Sequence, residues 1–433
     1  MAEDVLGLVD RLWAGELPTE THHLFSSPPS LVEVADDTAF LAAFANVSAF
    51  RTGEGLVLVD TGSIFAAQGI HAELRRWTPA PLHTAVYSHG HVDHVFGVGV
   101  FEEEAAANGW AAPVVVAHEA LPARFDRYVL TAGYNAVINQ RQFQAPGLQW
   151  PTEYRYPDEV YRDEALRTIG GERIELHHAR GETDDHTWTW FPDRRVLCCG
   201  DLFIWCSPNA GNPQKVQRYP REWAAALRTM AALGAEILLP GHGLPLIGPA
   251  RVVQALTDTA DLLDSLVDQS LRLMNEGARL DDLIHSVVPP AGLMDRPYLQ
   301  PIYDEPEFIV RNVWRLYGGW YDGNPAHLKP AREAALAQEL AALAGGPAVL
   351  ARRATVLAGE GASDEDLRLA GHLAELAALA APEDAGVHAA RAEVFRARVA
   401  AATSTMAKGV FAWAVAESTA RASGSGVGHA DDG

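Results

Sequence analysis

Seven consecutive residues constrain this chain more than any others: Ser88-His89-Gly90-His91-Val92-Asp93-His94. They follow Leu82-His83-Thr84-Ala85-Val86-Tyr87, an apolar, β-branched run that predicts a buried strand ending just before the histidines. Three imidazoles and a carboxylate crowd together at a cost unless a positive charge sits between them. Neutral imidazole nitrogen and carboxylate oxygen are donors that a divalent metal prefers. Gly90 permits the tight turn that lets alternate side chains converge on one point. A polar surface loop with scattered histidines is the plainer alternative; the stretch is read as a metal site.

At 433 residues the chain exceeds one compact core and predicts two domains with a helical connector. A net charge of −22 repels phosphate backbones, so a nucleic-acid partner is not expected. The same charge slows an anionic substrate unless the pocket is locally positive, which a metal arranges. Three clustered cysteines, Cys198, Cys199 and Cys206, make a poor disulfide framework. Met1-Ala2-Glu3-Asp4 lacks the layout of a secretion signal, and no apolar run is long enough to cross a bilayer. A cytoplasmic protein with no membrane partner is the expectation.

After an N-terminal segment (residues 1–30), strands are predicted at 31–35, 38–44, 47–50 and 55–59, the last running into Asp60-Thr61-Gly62. A helix at 66–77, the strand before the histidines, a helix at 95–108 and a strand at 114–117 continue as a layered α/β domain. The stretch 120–157 reads as irregular and long enough to fold over a pocket. Strands resume at 173–177, 187–191, 196–199 and 237–239, with a helix at 221–233. After Pro249 nearly everything reads as helix: a connector (249–294), then a span (295–420) with Ala/Leu-rich helices at 331–345, 347–358, 364–380 and 384–420 that need neighbours to be stable, and a Gly/Ser/Asp-rich tail (421–433).

Three more segments present a donor at the end of a strand or hairpin: Gly181-Glu182-Thr183-Asp184-Asp185-His186, Gly200-Asp201, and Pro240-Gly241-His242-Gly243. Each alone is a common turn. In this order after His-x-His-x-Asp-His, the pattern resembles the metallo-β-lactamase superfamily. That resemblance implies an αββα sandwich over residues 31–248, with the metal site at the open edge between its sheets. It implies metal ligands His89, His91, Asp93, His94, Glu182, Asp201 and His242, with Asp60 bracing the ligand loop. Most members have a histidine where this chain has Glu182, and a carboxylate there resembles the alkylsulfatase branch. By that carry-over one metal has His89, His91 and Glu182, the other Asp93, His94 and His242, and Asp201 reaches both. Two Zn²⁺ ions are implied, with Mn²⁺ or Fe also suited to the extra carboxylate. Asp93 and Asp201 are the candidate catalytic carboxylates, and His186 is expected to stand behind the ligands. His22, His23, His177 and His178 are read as packing residues.

Tyr303-Asp304-Glu305-Pro306-Glu307-Phe308-Ile309-Val310-Arg311-Asn312 and Tyr317 through Pro325 resemble the opening of the alkylsulfatase dimerisation domain. A homodimer follows, with this segment holding a subunit interface and doing no chemistry. The alkylsulfatases carry a further alkyl-tail-receiving domain beyond the residues of this sequence. Their sulfate-holding segment is rich in Thr, His and Arg; here Asn209, Asn212, Lys215 and Arg218 stand as oxyanion-binding candidates. Trp205 and the aromatic residues of 125–143 are candidates for an apolar pocket, or for core. The leading expectation is a binuclear-metal hydrolase of an alkyl sulfate or similar small ester, using a metal-activated hydroxide. A thioester, lactone or phosphoester hydrolase, an iron-dependent redox enzyme and a non-catalytic dimeric binding protein are the alternatives.

Overall fold

Two sheets meet face to face in the computed structural model, which describes residues 5–20 and 29–424. The first runs β1 (Ser30–Ala35), β2 (Thr38–Ala42), β3 (Val47–Thr52), β4 (Gly55–Val59), β5 (Leu82–Val86), β6 (Val114–His118) and β7 (Glu159–Tyr161), in that spatial order. The second contains β8 (Glu164–Ile169), β9 (Glu172–His178), β10 (Thr187–Phe191), β11 (Val196–Gly200), β12 (Ile237–Pro240) and β13 (Leu246–Ile247), also in sequence order. Between them lies an apolar layer of Phe40, Phe50, Val57, Val86, Ile174, Phe191, Val196 and Leu239.

Helices cover both outer faces. Helices α1 (Val5–Trp13), α2 (Ala67–Trp77) and α3 (Val98–Asn108) come first in the chain, followed by α4 (Leu121–Leu130) and α5 (Ala132–Phe143). Ile70 and Leu74 of α2 and Val98 and Phe101 of α3 pack on the first sheet. Helices α6 (Pro220–Ala231) and α7 (Pro249–Asn275) lay Trp223, Leu227, Leu256 and Leu263 on the second. The αββα expectation holds. Helices α8 (Leu280–Ser286) and α9 (Pro306–Gly318) follow α7 in the same unit.

The second unit comprises, among the described residues, 133–149 and 321–424. It contains α10 (Pro325–Leu328), α11 (Glu333–Ala344), α12 (Pro347–Leu357), α13 (Asp364–Ala380), α14 (Ala385–Ala401) and α15 (Thr405–Ala422). Its core is largely alanine: Ala341, Ala351, Ala354, Ala370, Ala374 and Ala377 let helices approach closely where larger side chains would hold them apart. Gln144, just past α5, donates to the carbonyl of Gly409 at 2.7 Å, and a Cβ on Gly409 would lie 2.2 Å from the Gln142 carbonyl oxygen.

Two local expectations need correction. The stretch 120–157 is not irregular in its first half, because α4 and α5 occupy it; the buried faces of α5 are polar (Asn135, Asn139, Gln142), so no hydrophobic period shows. The helix expected over 384–420 is two helices, and the Ser404 hydroxyl caps the second by accepting from Ala407 N at 3.2 Å. His22, His23 and most of the tail lie outside the described residues. Among the described residues no single helix is long and apolar enough to cross a membrane.

Candidate metal centre

The donors are delivered by strand ends. β4 and β5 run parallel and adjacent, so Asp60 leaves one as Ser88 leaves the other. Asp60 adopts a left-handed backbone (φ 61°), tolerable for aspartate, which turns its carboxylate back over the histidine loop. One oxygen accepts from Ser88 N at 2.7 Å; the other accepts from Ser88 Oγ and from His94 Nδ1, each at 2.8 Å. Ser88 Oγ also lies 2.9 Å from His89 Nδ1. Its one proton goes to Asp60, so it must accept from His89. Both histidines therefore carry a proton on Nδ1 and turn Nε2 inward. His242 reaches the same state through the carbonyl of Phe44, 2.5 Å from its Nδ1.

The second sheet repeats the device. β11 and β12 are parallel neighbours, with Gly200 paired to Pro240, so Asp201 and His242 emerge together. Gly241 has to be glycine: a Cβ there would lie 2.1 Å from Asp201 Oδ1. Asn46 holds the His242 turn, donating to the carbonyls of Pro240 and Gly243, each at 3.0 Å.

Two groups result, each with ligand atoms within 4.8 Å of one another: His89, His91, Glu182 and Asp201; and Asp93, His94 and His242. Asp201 also touches the second group, at 3.5 Å from His94 Nε2 and 3.3 Å from His242 Nε2. All seven expected ligands converge. The donor set fits a cation. His89 Nε2 and His91 Nδ1 stand 2.8 Å apart, and among the described residues His94 Nε2, Glu182 Oε2 and Asp201 Oδ1 are buried without a hydrogen-bond partner. Such atoms are costly to bury unless something binds them.

Burial, reinforced by neighbouring imidazoles for His89 and by Arg218 and Arg124 for His91, lowers both well below the usual histidine range and keeps them neutral. Burial opposes charge on His94 and His242 too, but Asp201 and Asp93 outweigh it; His94 is raised well above its ordinary value and His242 to about 10. Burial and the adjacent Asp201 raise Glu182 well above the carboxylate range. In the bare protein, protons balance this cage, and metal binding releases them.

His186 is fully buried behind the ligands: its Nε2 accepts from Asp201 N at 3.1 Å and its ring stacks on His89 with centroids 4.9 Å apart. Of the other histidines, His177 stacks on Trp188 and His178 on His118. Asn209 and Arg218 turn toward Glu182: Asn209 Nδ2 donates to its carboxylate, and Arg218 donates to its carbonyl. Arg218 Nε and Asn212 Nδ2 are buried donors with no hydrogen-bond partner among the described residues. Lys215 is half-buried, its ammonium 5.4 Å from the Trp150 ring centre. Trp205 is core, fully buried with Nε1 donating to Leu244 O at 2.6 Å. Sequence reasoning missed Asn46 and a buried pair, Asp185 and Arg124. Asp185 accepts from Gly90 N at 2.9 Å and from Arg124 Nε at 2.7 Å, clamping the histidine loop. Asp185 stood in plain view beside His186; nothing local distinguished it from a turn residue.

Fold and cage together define a metallo-β-lactamase superfamily domain, and the superfamily's sequence profile matches residues 42–242. The profile for alkyl sulfatase dimerisation matches residues 279–420. The chain thus joins a metallo-β-lactamase domain to an alkyl sulfatase dimerisation domain. It is 30% identical over 316 residues to a linear primary-alkylsulfatase of Pseudomonas sp., covering 68% of this chain and 59% of that one. Its identity to an alkyl/aryl-sulfatase of Saccharomyces cerevisiae is 24% over 371 residues, 79% of this chain and 56% of that one. The structure of the stereoselective inverting sec-alkylsulfatase Pisa1 from Pseudomonas sp. shares the fold, with a TM-score of 0.80, 22% identity, and coverage of 92% and 66%. The chain spans between about half and two thirds of the length of these relatives.

Proposed function

We propose that this chain is a binuclear-metal hydrolase acting on alkyl sulfates. The observation that carries the proposal is the cage itself: two donor groups, both touched by Asp201, with imidazole nitrogens and carboxylates turned inward, beside buried donors without a hydrogen-bond partner among the described residues. His89, His91 and Glu182 would hold one ion and Asp93, His94 and His242 the other, with Asp201 bridging; Zn²⁺ fits this donor set, and Mn²⁺ or Fe suits its carboxylates. Such a pair, when bound, supplies a water whose pKa falls from about 15.7 toward about 7. The chain's own part is to orient and to bind. Asp60, Ser88 and the Phe44 carbonyl fix the imidazole tautomers, and His186 holds the Asp201 backbone.

Arg218 Nε, Asn212 Nδ2 and the Lys215 ammonium are the groups that would take the sulfate oxygens, while Asn209 steadies Glu182. Alkylsulfatase relatives support this substrate class over a thioester, lactone or phosphoester. The homodimer reading is supported by the dimerisation-domain match and by α11, where Leu336, Leu340 and Leu343 are 53%, 37% and 78% exposed at helical spacing. Three buried free thiols support a reducing, cytoplasmic setting. The test is metal analysis of the purified protein with a hydrolysis screen of alkyl sulfates against thioesters, lactones and phosphoesters. Turnover of an alkyl sulfate, lost to a chelator and restored by Zn²⁺ or Mn²⁺, is expected. Two bound metals with hydrolysis of none of these would overturn the proposal and favour redox chemistry.

A further inference from the structure

The segment from Tyr303 to Asn312 falls within the span matching the dimerisation profile, yet its buried Asp304 and Asn312 bond to the loop between Asp201 and α6. That loop has no strand or helix of its own, so its backbone groups need partners from elsewhere. Asp304 supplies the first. It is fully buried, with one carboxylate oxygen accepting from Gly211 N at 2.6 Å and the other from Glu305 N, at the start of α9, at 2.8 Å. Burial pushes this carboxyl up to about 7 against the pull of those two amides and Arg218. Gly211 is pressed onto the helix start, where an added Cβ would lie 2.2 Å from Ile309 N.

Asn312 supplies the second attachment, further along α9. Its Nδ2 donates to Arg218 O at 3.1 Å, while its Oδ1 accepts from Arg218 N at 3.4 Å and from Gln217 Nε2 at 2.8 Å. One side chain thus closes both backbone groups of Arg218, as a neighbouring strand would. A third tie runs from Ser207 N to Gln300 O at 3.0 Å. Asn209, Asn212, Lys215 and Arg218 all lie between or at these ties.

We propose that Asp304 and Asn312 are positioning residues for the sulfate-facing loop, so that the early part of the dimerisation span sets substrate affinity within its own chain. This adds a role within the chain to the interface expected of the segment, and it rests on the reading that Asn212, Lys215 and Arg218 meet the sulfate. A purely structural contact would change stability and leave substrate affinity alone. A positioning contact moves donors whose placement matters to within about 1 Å.

The test uses the full-length, metal-loaded enzyme with Asn312→Ala, Asn312→Asp and Asp304→Asn. Metal content, kcat and KM for octyl sulfate, and amide hydrogen exchange over residues 207–219 are measured. In Asn312→Ala the loop exchanges faster and KM rises about tenfold, while metal content holds and kcat falls by less than about threefold. Asn312→Asp keeps the acceptor and recovers part of the loss; Asp304→Asn, which leaves one amide opposed by a donor, gives an intermediate rise and serves if Asn312→Ala does not fold. Unchanged loop exchange overturns the anchor. Faster exchange with unchanged KM overturns its role in affinity. If the unmodified protein turns over no alkyl sulfate, the functional reading falls, and the exchange measurement alone decides whether Asp304 and Asn312 hold the loop.

Discussion

Lys215 offers a prediction whose sign and size both follow from its surroundings. Burial and the Arg218 guanidinium lower its ammonium to about 7, against the smaller pull of Asp93 and Glu182. With a midpoint near 7, the charged fraction falls from about 0.9 at pH 6 to about 0.1 at pH 8. If only the charged form takes a sulfate oxygen, kcat/KM for an alkyl sulfate drops by up to about tenfold across that window, or about 1.4 kcal/mol. Bound cations repel the ammonium and shift the window downward, never upward. An anionic substrate favours the protonated form, so affinity is greater on the acid side. Lys215→Arg keeps its charge throughout and should flatten this component. The assay is kcat/KM against pH for both proteins at fixed metal saturation. Equal slopes in the two would refute the argument, as would a wild-type profile that rises relative to the variant. Stability runs the opposite way: between about 7 and 10.4 the unfolded chain binds the proton that the folded chain does not, so this lysine makes the fold more stable as pH rises through that range. Lys215→Met should remove that slope from denaturation curves.

Asp201→Ala should abolish turnover and lower bound metal by elemental analysis; full turnover in the variant would contradict a bridging role. Gly241→Ala places a methyl 2.1 Å from Asp201 Oδ1, so metal loss is expected with roughly 1–3 kcal/mol of destabilisation, read by metal analysis and thermal melting. Asp60→Asn weakens the brace on Ser88 and His94 and should cost about 10–100-fold in metal affinity by chelator competition. Leu340→Glu combined with Leu343→Lys should shift sedimentation from dimer toward monomer; an unshifted boundary would exclude the α11 face.

The histidine motif was legible because its signal is local, an apolar strand and then donors at fixed spacing; Glu182, Asp201 and His242, each a common turn by itself, became candidate ligands only through the family resemblance. Asp304 and Asn312 were not, since their partners Gly211 and Arg218 lie 93 and 94 residues away and no period links them. Helix α5 hid behind buried polar residues, with Asn135 and Asn139 facing inward where a hydrophobic count expects leucine, whereas α4 does bury Leu121, Phe125 and Tyr128 at helical spacing. Strand β7 is three residues long and half of β8 is exposed, so neither alternation nor length announced them. Trp205 could be pocket or core from sequence; its indole bond to Leu244 decided for core.

Half of the cage hangs from each sheet, so the thickness of the apolar filling between them acts as a spacer that calibrates the gap across which the donors face one another. Phe50 and Phe191, stacked with centroids 3.7 Å apart, are part of that spacer although neither touches a ligand. Trimming or enlarging such a residue would retune the aperture of the cage from a distance, and with it the size of cation the unchanged donors could hold.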